Sequence, residues 1–168
     1  MEKTIIVDPT KCTGCRTCEL VCSVKKEGMA NPSRARITVI RFEDIVFEVP
    51  MLCQQCADAP CMGVCPVKAI SRDRETGVIH VDHDRCIGCK SCMAICPFGA
   101  MGFDPRDKRM FKCDQCGGDP TCVKFCEPQA LQYVDVFSVR ARKSWDRARN
   151  VSDIARKFHP ESARMDLA

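Results

Sequence analysis

Cysteines are the residues of this sequence whose type and spacing could do chemistry, and they make up 16 of its 168 residues. They fall into four groups of four, and each group ends in a Cys-x3-Cys step. The groups are Cys12, Cys15, Cys18 and Cys22; Cys53, Cys56, Cys61 and Cys65; Cys86, Cys89, Cys92 and Cys96; and Cys113, Cys116, Cys122 and Cys126. Three thiolates on one short loop suit an iron–sulfur cube, whose corner irons lie close together. The pattern therefore predicts four [4Fe–4S] clusters.

Two other uses of many cysteines fit the sequence less well. Disulfide scaffolds belong to secreted chains, and the segment that follows Met1 shows neither an apolar signal stretch nor a twin-arginine pair. Tetrahedral zinc usually takes pairs of ligands from separate knuckles, which three cysteines on one loop do not provide. Iron–sulfur clusters remain the best interpretation of the spacing.

Two glycines within the cysteine loops are predicted to contact the cofactors. Gly14 lies between Cys12 and Cys15, and Gly88 lies between Cys86 and Cys89. Glycine allows the backbone to approach a cluster closely, so that amide N–H groups can donate hydrogen bonds to sulfur.

An internal repeat relates the cysteine groups in pairs. Residues 7–12 correspond to residues 81–86, and residues 52–56 correspond to residues 112–116. The first and third groups are therefore sister motifs, as are the second and fourth. Alternating apolar residues predict a β-hairpin with strands over 36–42 and 45–49, a turn over 73–77 before a strand at 78–81, and a turn between strands 100–103 and 109–112. Each Cys-x3-Cys segment predicts one or two helical turns.

These elements predict an α+β fold in which clusters take the place of much of the core. The second and third groups are adjacent in sequence, so residues 53–96 are expected to form an inner two-cluster ferredoxin module. Residues 1–52 and 97–137 then form an outer module interleaved with it. Residues 138–168 lack Cys and predict a helical docking tail, with an apolar stripe of Ala141, Trp145, Ala148, Val151, Ala155 and Phe158. A helix that covers the ferredoxin body is the other interpretation of this tail.

Charge and hydropathy exclude several classes of protein. Residues 138–168 carry 8 Lys and Arg against 4 Asp and Glu, so this segment holds the whole net charge of +4. Four bound cubanes would make the protein acidic, which argues against nucleic-acid binding. No run of about 18 apolar residues is present, so a transmembrane segment is not predicted. A cytoplasmic protein is expected.

The cysteine pattern of residues 1–134 resembles a known family, the four-cluster ferredoxin subunits of molybdenum and tungsten oxidoreductases. This family includes the electron-transfer subunits of dimethyl sulfoxide reductase and formate dehydrogenase. The segment most typical of it is Cys53-Gln54-Gln55-Cys56-Ala57-Asp58-Ala59-Pro60-Cys61-Met62-Gly63-Val64-Cys65-Pro66. The short chain is most similar to the small subunits that accompany tungsten-dependent aldehyde oxidoreductases.

The resemblance implies four crossed ligand sets, in which the last cysteine of each group binds the cluster of another group. Set 1 is Cys12, Cys15, Cys18 and Cys126; set 2 is Cys22, Cys113, Cys116 and Cys122; set 3 is Cys53, Cys56, Cys61 and Cys96; set 4 is Cys65, Cys86, Cys89 and Cys92. Some family members lack one ligand, but all 16 are present here, so four [4Fe–4S] clusters are expected. Ser23 and Glu127 stand where proline often follows the fourth cysteine, which bears on cluster tuning.

The expected function is electron transfer without catalysis. A cubane with four Cys ligands has no open coordination position, so the chain should conduct electrons within an oxidoreductase complex. The expected partners are a catalytic subunit with a tungsten or molybdenum cofactor, an anaerobic aldehyde oxidoreductase in the first instance, and a ferredoxin or a nicotinamide or flavin module. Self-association into a longer wire is a further option. The alternatives are a free-standing polyferredoxin, or the equivalent subunit of a formate dehydrogenase or hydrogenase. An enzyme that uses one of the three His residues is a weaker alternative.

Overall fold

The computed structural model describes residues 3–138, which fold into short strands and helices in an α+β arrangement. The strands are β1 Lys3–Val7, β2 Ile37–Phe42, β3 Phe47–Leu52, β4 Ile70–Arg72, β5 Ile79–Val81, β6 Met101–Asp104, β7 Arg109–Lys112 and β8 Leu131–Asp135. The helices are α1 Thr17–Glu27, α2 Pro60–Gly63, α3 Ser91–Ile95 and α4 Thr121–Lys124. Three 3-10 turns cover Pro9–Lys11, Pro32–Arg34 and Gln115–Gly118.

The internal repeat is visible in the order of these elements. Residues 3–72 and residues 79–135 each run strand, helix, hairpin, helix, strand. The strands at the ends of the two halves pair crosswise, so that β1 pairs with β8 and β4 pairs with β5. Equivalent hydrogen bonds extend both pairs: the N–H of Asp8 donates to the carbonyl of Ala130 (2.8 Å), and that of Asp82 donates to the carbonyl of Ala69 (2.7 Å).

Both predicted hairpins are present, with corrected limits. β2 pairs antiparallel with β3, and Phe42 lies opposite Phe47. Ile45 and Val46, predicted to begin the second strand, lie instead in the turn, where both are exposed and Val46 has φ 49°. β6 pairs antiparallel with β7 around residues 105–108, close to the predicted turn. The predicted strand at 78–81 begins one residue later, at Ile79.

The Cys-x3-Cys segments begin helices as predicted, but α1 is longer than the expected one or two turns. It has 11 residues, whereas α3 has 5. The difference arises directly after the fourth cysteine, because Pro97 cannot continue α3 whereas Ser23 continues α1. Ser23 is fully buried; its hydroxyl donates to the carbonyl of Leu20 (2.8 Å) and accepts from the N–H of Asn31 (3.0 Å).

The end of α1 carries a partly buried ionic network. Glu27 pairs with Arg36 (2.6 Å) and with Arg34 (2.7 Å), and Arg34 also pairs with Asp104 on β6. Burial raises the pKa of Glu27, but the hydrogen bonds from the two arginines outweigh burial and hold the pKa below its usual value. The network joins the first half of the repeat to the second.

The buried side chains form two clusters that include the cysteines. One contains Cys18, Cys22, Cys113 and Cys122, together with Ile5, Ile37, Leu52 and Leu131. The other contains Cys92, together with Ile70, Ile79, Met101 and Met110, and Cys56, Cys61, Cys65, Cys86 and Cys96 pack against it. Cysteines therefore occupy positions that aliphatic residues fill in most domains of this size.

Tyr133 ends one compact unit, and Val134 begins a second. The apolar stripe of the predicted helical tail lies outside the described residues. Among residues 3–138, no helix combines the length and the apolar character that a membrane span requires.

Candidate metal centres

Four cysteines from three parts of the chain line one buried space, here called cavity A. They are Cys22 on α1, Cys113 and Cys116 after β7, and Cys122 on α4. Cavity A measures about 320 Å³, including its opening to solvent. Its other walls include Ile5, Leu52 and Arg36. These four cysteines are the members of set 2.

A second space, cavity B, is lined by Cys53, Cys56, Cys61 and Cys96 and measures about 360 Å³ with its opening. The first three follow β3, and Cys96 follows α3. Cavity B repeats the plan of cavity A, because Ile79 and Lys112 line it where Ile5 and Leu52 line cavity A. These four cysteines are the members of set 3.

Six of the other eight cysteines belong to the two core clusters. Cys12, Cys18 and Cys126 belong to the first cluster, and Cys65, Cys86 and Cys92 belong to the second. Cys15 and Cys89, sister residues before α1 and α3, are exposed. All sixteen cysteines are free thiols, and a donor set of thiols alone suits iron–sulfur clusters. Within residues 3–138, no three Cys, His, Asp or Glu side chains lie close enough to hold a single metal ion.

The last cysteine of every group accepts a backbone hydrogen bond. The N–H of Arg36 donates to Cys22 Sγ (3.2 Å), and the N–H of Ala69 donates to Cys65 Sγ (3.2 Å). The N–H groups of Ala100 and Leu131 donate in the same way to Cys96 and Cys126, each at 3.4 Å. Such bonds fix the orientation of a thiolate ligand and stabilise its negative charge.

Burial and mutual proximity raise the pKa values of the interior thiols. The pKa of Cys113 rises to about 12 through burial and the nearby Cys53 thiol. Burial raises the pKa of Cys122 further, and Cys113 and Cys22 reinforce the effect. Burial also raises the pKa of Cys18 to about 12 and that of Cys92 to about 11. Metal binding at these thiols must therefore release protons.

The exposed thiols behave differently. A hydrogen bond from the Thr17 side chain lowers the pKa of Cys15, and a hydrogen bond from the Ser91 side chain lowers that of Cys89. Thr17 and Ser91 each begin a helix, α1 and α3, so this arrangement also repeats in both halves.

The structure gives the two predicted glycines a packing role. Gly14 and Gly88 have φ of +67° and +66°, which side chains rarely adopt. A Cβ at Gly88 would overlap the backbone carbonyl of Lys108, and one at Gly14 would meet the Glu48 carboxyl group at 2.7 Å. Their predicted approach to a cofactor stays a prediction.

Two buried charged residues beside the cysteines were missed by the sequence analysis. Lys112 is 5% exposed and lines cavity B, and Glu19 is 3% exposed and lies next to Cys18. Glu19 Oε1 accepts from the N–H of Val39 at 2.7 Å. The alternation of side chains along β7 could have suggested that Lys112 points inward, and the helical period of α1 could have suggested the same for Glu19. Charged residues, however, are normally assigned to the surface.

Comparison with known proteins identifies the family. Residues 45–136 match a family described as a 4Fe-4S dicluster domain, and residues 9–25 match a 4Fe-4S binding domain. The YsaA protein of Escherichia coli K12 is 46% identical over 155 residues, covering 85% of this chain and 96% of that protein. The polyferredoxin-like subunit of the aliphatic sulfonate oxidoreductase of Pyrococcus furiosus is 36% identical over 163 residues, covering 94% and 93%.

Two further comparisons are with an electron transport protein and a solved complex. The electron transport protein HydN of Escherichia coli K12 is 39% identical over 160 residues, covering 80% of this chain and 89% of that protein. A chain of the BamBC complex of benzoyl coenzyme A reductase is 29% identical with a TM-score of 0.48, and the match covers 79% of this chain and 75% of that chain. The relatives confirm the resemblance that the cysteine pattern predicted. This chain belongs to the 4Fe-4S dicluster domain family, and its relatives include an electron transport protein and the polyferredoxin-like subunit of an oxidoreductase.

Proposed function

We propose that the chain holds four [4Fe–4S] clusters in the crossed sets 1 to 4 and conducts electrons through them. The observation that carries this proposal is the lining of the two cavities. Cavity A combines Cys22 of the first group with three cysteines of the fourth, and cavity B combines Cys96 of the third group with three of the second. A bound cubane would supply one-electron transfer.

The repeat and the shared core clusters support sets 1 and 4. Cys126 packs in the same core cluster as Cys12 and Cys18, and Cys65 packs in the same cluster as Cys86 and Cys92. Crosswise pairing of β1 with β8 and of β4 with β5 supports an outer module of residues 1–52 and 97–137 and an inner module of residues 53–96. All sixteen thiols are then ligands, so none serves as a nucleophile.

The partner in this proposal is a catalytic subunit with a tungsten or molybdenum cofactor, with an aldehyde oxidoreductase as the first candidate. A ferredoxin or a nicotinamide or flavin module exchanges electrons at the other end. The support is that a relative over nearly the whole chain is a polyferredoxin-like subunit of an oxidoreductase.

Ligation can be tested with two cysteines one helical turn apart on α1. Cys18→Ala and Cys22→Ala in anaerobically purified protein should each lose about 4 of about 16 iron atoms, since each cubane holds four. Crossed ligation predicts that Cys22→Ala combined with Cys122→Ala still loses about 4. Cys22→Ala combined with Cys18→Ala should lose about 8.

A loss of about 8 iron atoms in Cys22→Ala with Cys122→Ala, and of about 4 in Cys22→Ala with Cys18→Ala, would show that each group binds its own cluster. Wild-type protein that contains zinc and little labile sulfide would contradict the iron–sulfur assignment itself. Iron, sulfide and zinc analysis on the same samples separates these outcomes.

The partner can be tested by anaerobic affinity purification with tungsten and molybdenum analysis. Full-length protein should retain a metal-containing catalytic subunit. Deletion of residues 138–168 removes no cysteine, so iron content should persist while the catalytic subunit is lost. A full-length protein without any stable partner would favour the free polyferredoxin.

A further inference from the structure

Leu52 and Lys112 occupy equivalent positions in the repeat, each directly before a cysteine group. Each of them lines the cavity that the other group forms. Leu52 precedes Cys53 but lines cavity A, whereas Lys112 precedes Cys113 but lines cavity B. The repeat relates the two positions, so this is a single site at which the halves differ. One cavity has an aliphatic wall there, and the other has an ammonium group.

Lys112 is held by neutral acceptors. Its Nζ donates to the carbonyl of Ile79, to the carbonyl of Cys113 (2.9 Å) and to Gln55 Oε1 (3.4 Å). Three acceptors satisfy the three donors of an ammonium group without neutralising its charge. Within residues 3–138, no carboxylate forms an ion pair with Lys112, and it is the one charged residue among those that line cavity B.

The cations at cavity A are neutralised. Lys26 pairs with Asp114 (2.7 Å), and both residues line cavity A. Arg36 also lines cavity A, and it pairs with Glu27 (2.6 Å). The two cavities thus share a ligand plan but differ by one uncompensated positive charge.

We propose that Lys112 is a tuning residue that raises the reduction potential of the cluster in cavity B above that of the cluster in cavity A. This inference rests on the proposed function. Reduction adds one electron, and therefore negative charge, to a cluster that is already anionic. A fixed cation in a poorly solvated site stabilises the reduced state more than the oxidised state. An electron shared between these two clusters should therefore rest in cavity B rather than in cavity A.

The test is an anaerobic redox titration of full-length holoprotein with dithionite as reductant, followed by electron paramagnetic resonance. The signal of cavity B is identified as the one lost in Cys96→Ala. Lys112→Met should shift its reduction equilibrium at least about tenfold toward the oxidised state, which is about 59 mV for a one-electron couple. The signals of the other clusters should move much less.

Two more variants make the result specific. Lys112→Gln removes the charge but keeps an amide donor for the Ile79 and Cys113 carbonyls, so it repeats the test if Lys112→Met loses iron. Lys108→Met is the control, because it removes an exposed lysine from the β6–β7 turn that lines neither cavity, and it should move the cavity B signal much less than Lys112→Met does.

A full complement of about 16 iron atoms with an unmoved cavity B signal would overturn the role of Lys112 and leave the proposed function intact. An equal shift of all four signals would overturn it as well. Wild-type protein without that iron content would contradict the ligation itself.

Discussion

The two halves of the repeat share an element order but end their first helices differently. α1 in the first half continues to Glu27, and α3 in the second half stops at Ile95. At the point where the helices differ, the first half has Ser23 and the second half has Pro97, which cannot continue a helix. The extra turns of α1 bring Glu27 to Arg34 and Arg36, and Arg34 reaches Asp104 in the other half. The two copies of the repeat thus differ just beyond the last cysteine of the group, where the first half has an additional ionic link to the second.

The largest effect is predicted for a substitution that gives the first half the proline that the second half has at position 97. Ser23→Pro should end α1 after Cys22 and destabilise the holoprotein by about 3 kcal/mol or more, because proline removes a helical hydrogen bond and clashes with the preceding turn. Loss of the buried hydroxyl, which accepts from Asn31, adds about 1–3 kcal/mol.

Anaerobic thermal unfolding with circular dichroism measures both the stability and the helix content. The matched control is Pro97→Ser, which should cost only about 0.4–1 kcal/mol, because it relaxes a constraint without removing a bond. Equal effects of the two substitutions would show that Ser23 does not account for the longer helix.

A second prediction concerns the ionic link. Glu27→Gln removes the charge that Arg34 and Arg36 share, and it should lower the free energy of unfolding by about 1.5–3 kcal/mol, since hydrogen bonds to charged groups contribute about that much and these pairs are partly buried. Asp104 still pairs with Arg34, which keeps the loss at the lower end of the usual range.

The exposed Glu43, at the tip of the β2–β3 hairpin, provides the control for this experiment. Glu43→Gln should change the free energy of unfolding by less than about 0.5 kcal/mol. If Glu27→Gln changed the free energy of unfolding as little as Glu43→Gln, the ionic network would not stabilise the contact between the two halves.

The smallest predicted effect separates the sister glycines. Gly14→Ala should cost about 1–2 kcal/mol for the left-handed backbone, because the Glu48 side chain that it meets can move aside. Gly88→Ala should cost more, since its Cβ meets the backbone carbonyl of Lys108. Parallel unfolding measurements on the two variants test this order, and the reverse order would contradict the packing described here.

The family resemblance carried by the cysteine pattern implied sets 2 and 3, and the four cysteines of each set line one cavity. That these thiols bind clusters stays a prediction. The α+β class and the hairpins followed from alternation and turn residues. Ile45 and Val46 misled the prediction of β3 because apolar residues normally signal a strand, and here they form an exposed turn.

The sequence could not predict the residues whose role depends on contacts between the halves. Lys112 sits in a short alternating strand where a lysine usually faces water. Its burial follows from the acceptors that Ile79, Cys113 and Gln55 place around it, and these come from three separate segments. The length of α1 was missed for a related reason, since Ser23 was interpreted only as an influence on cluster tuning.

The crosswise strand pairing has a consequence for biosynthesis. β4 and β5 are separated by a short turn, so they can pair as soon as residue 81 has left the ribosome. β1 is the first of these strands to be made, yet its partner β8 ends at residue 135, so β1 cannot pair until that residue has left the ribosome. Closing so long a loop is entropically costly and slow. The thiols of the first cysteine group are therefore the longest exposed to oxygen and to competing metals in a nascent chain.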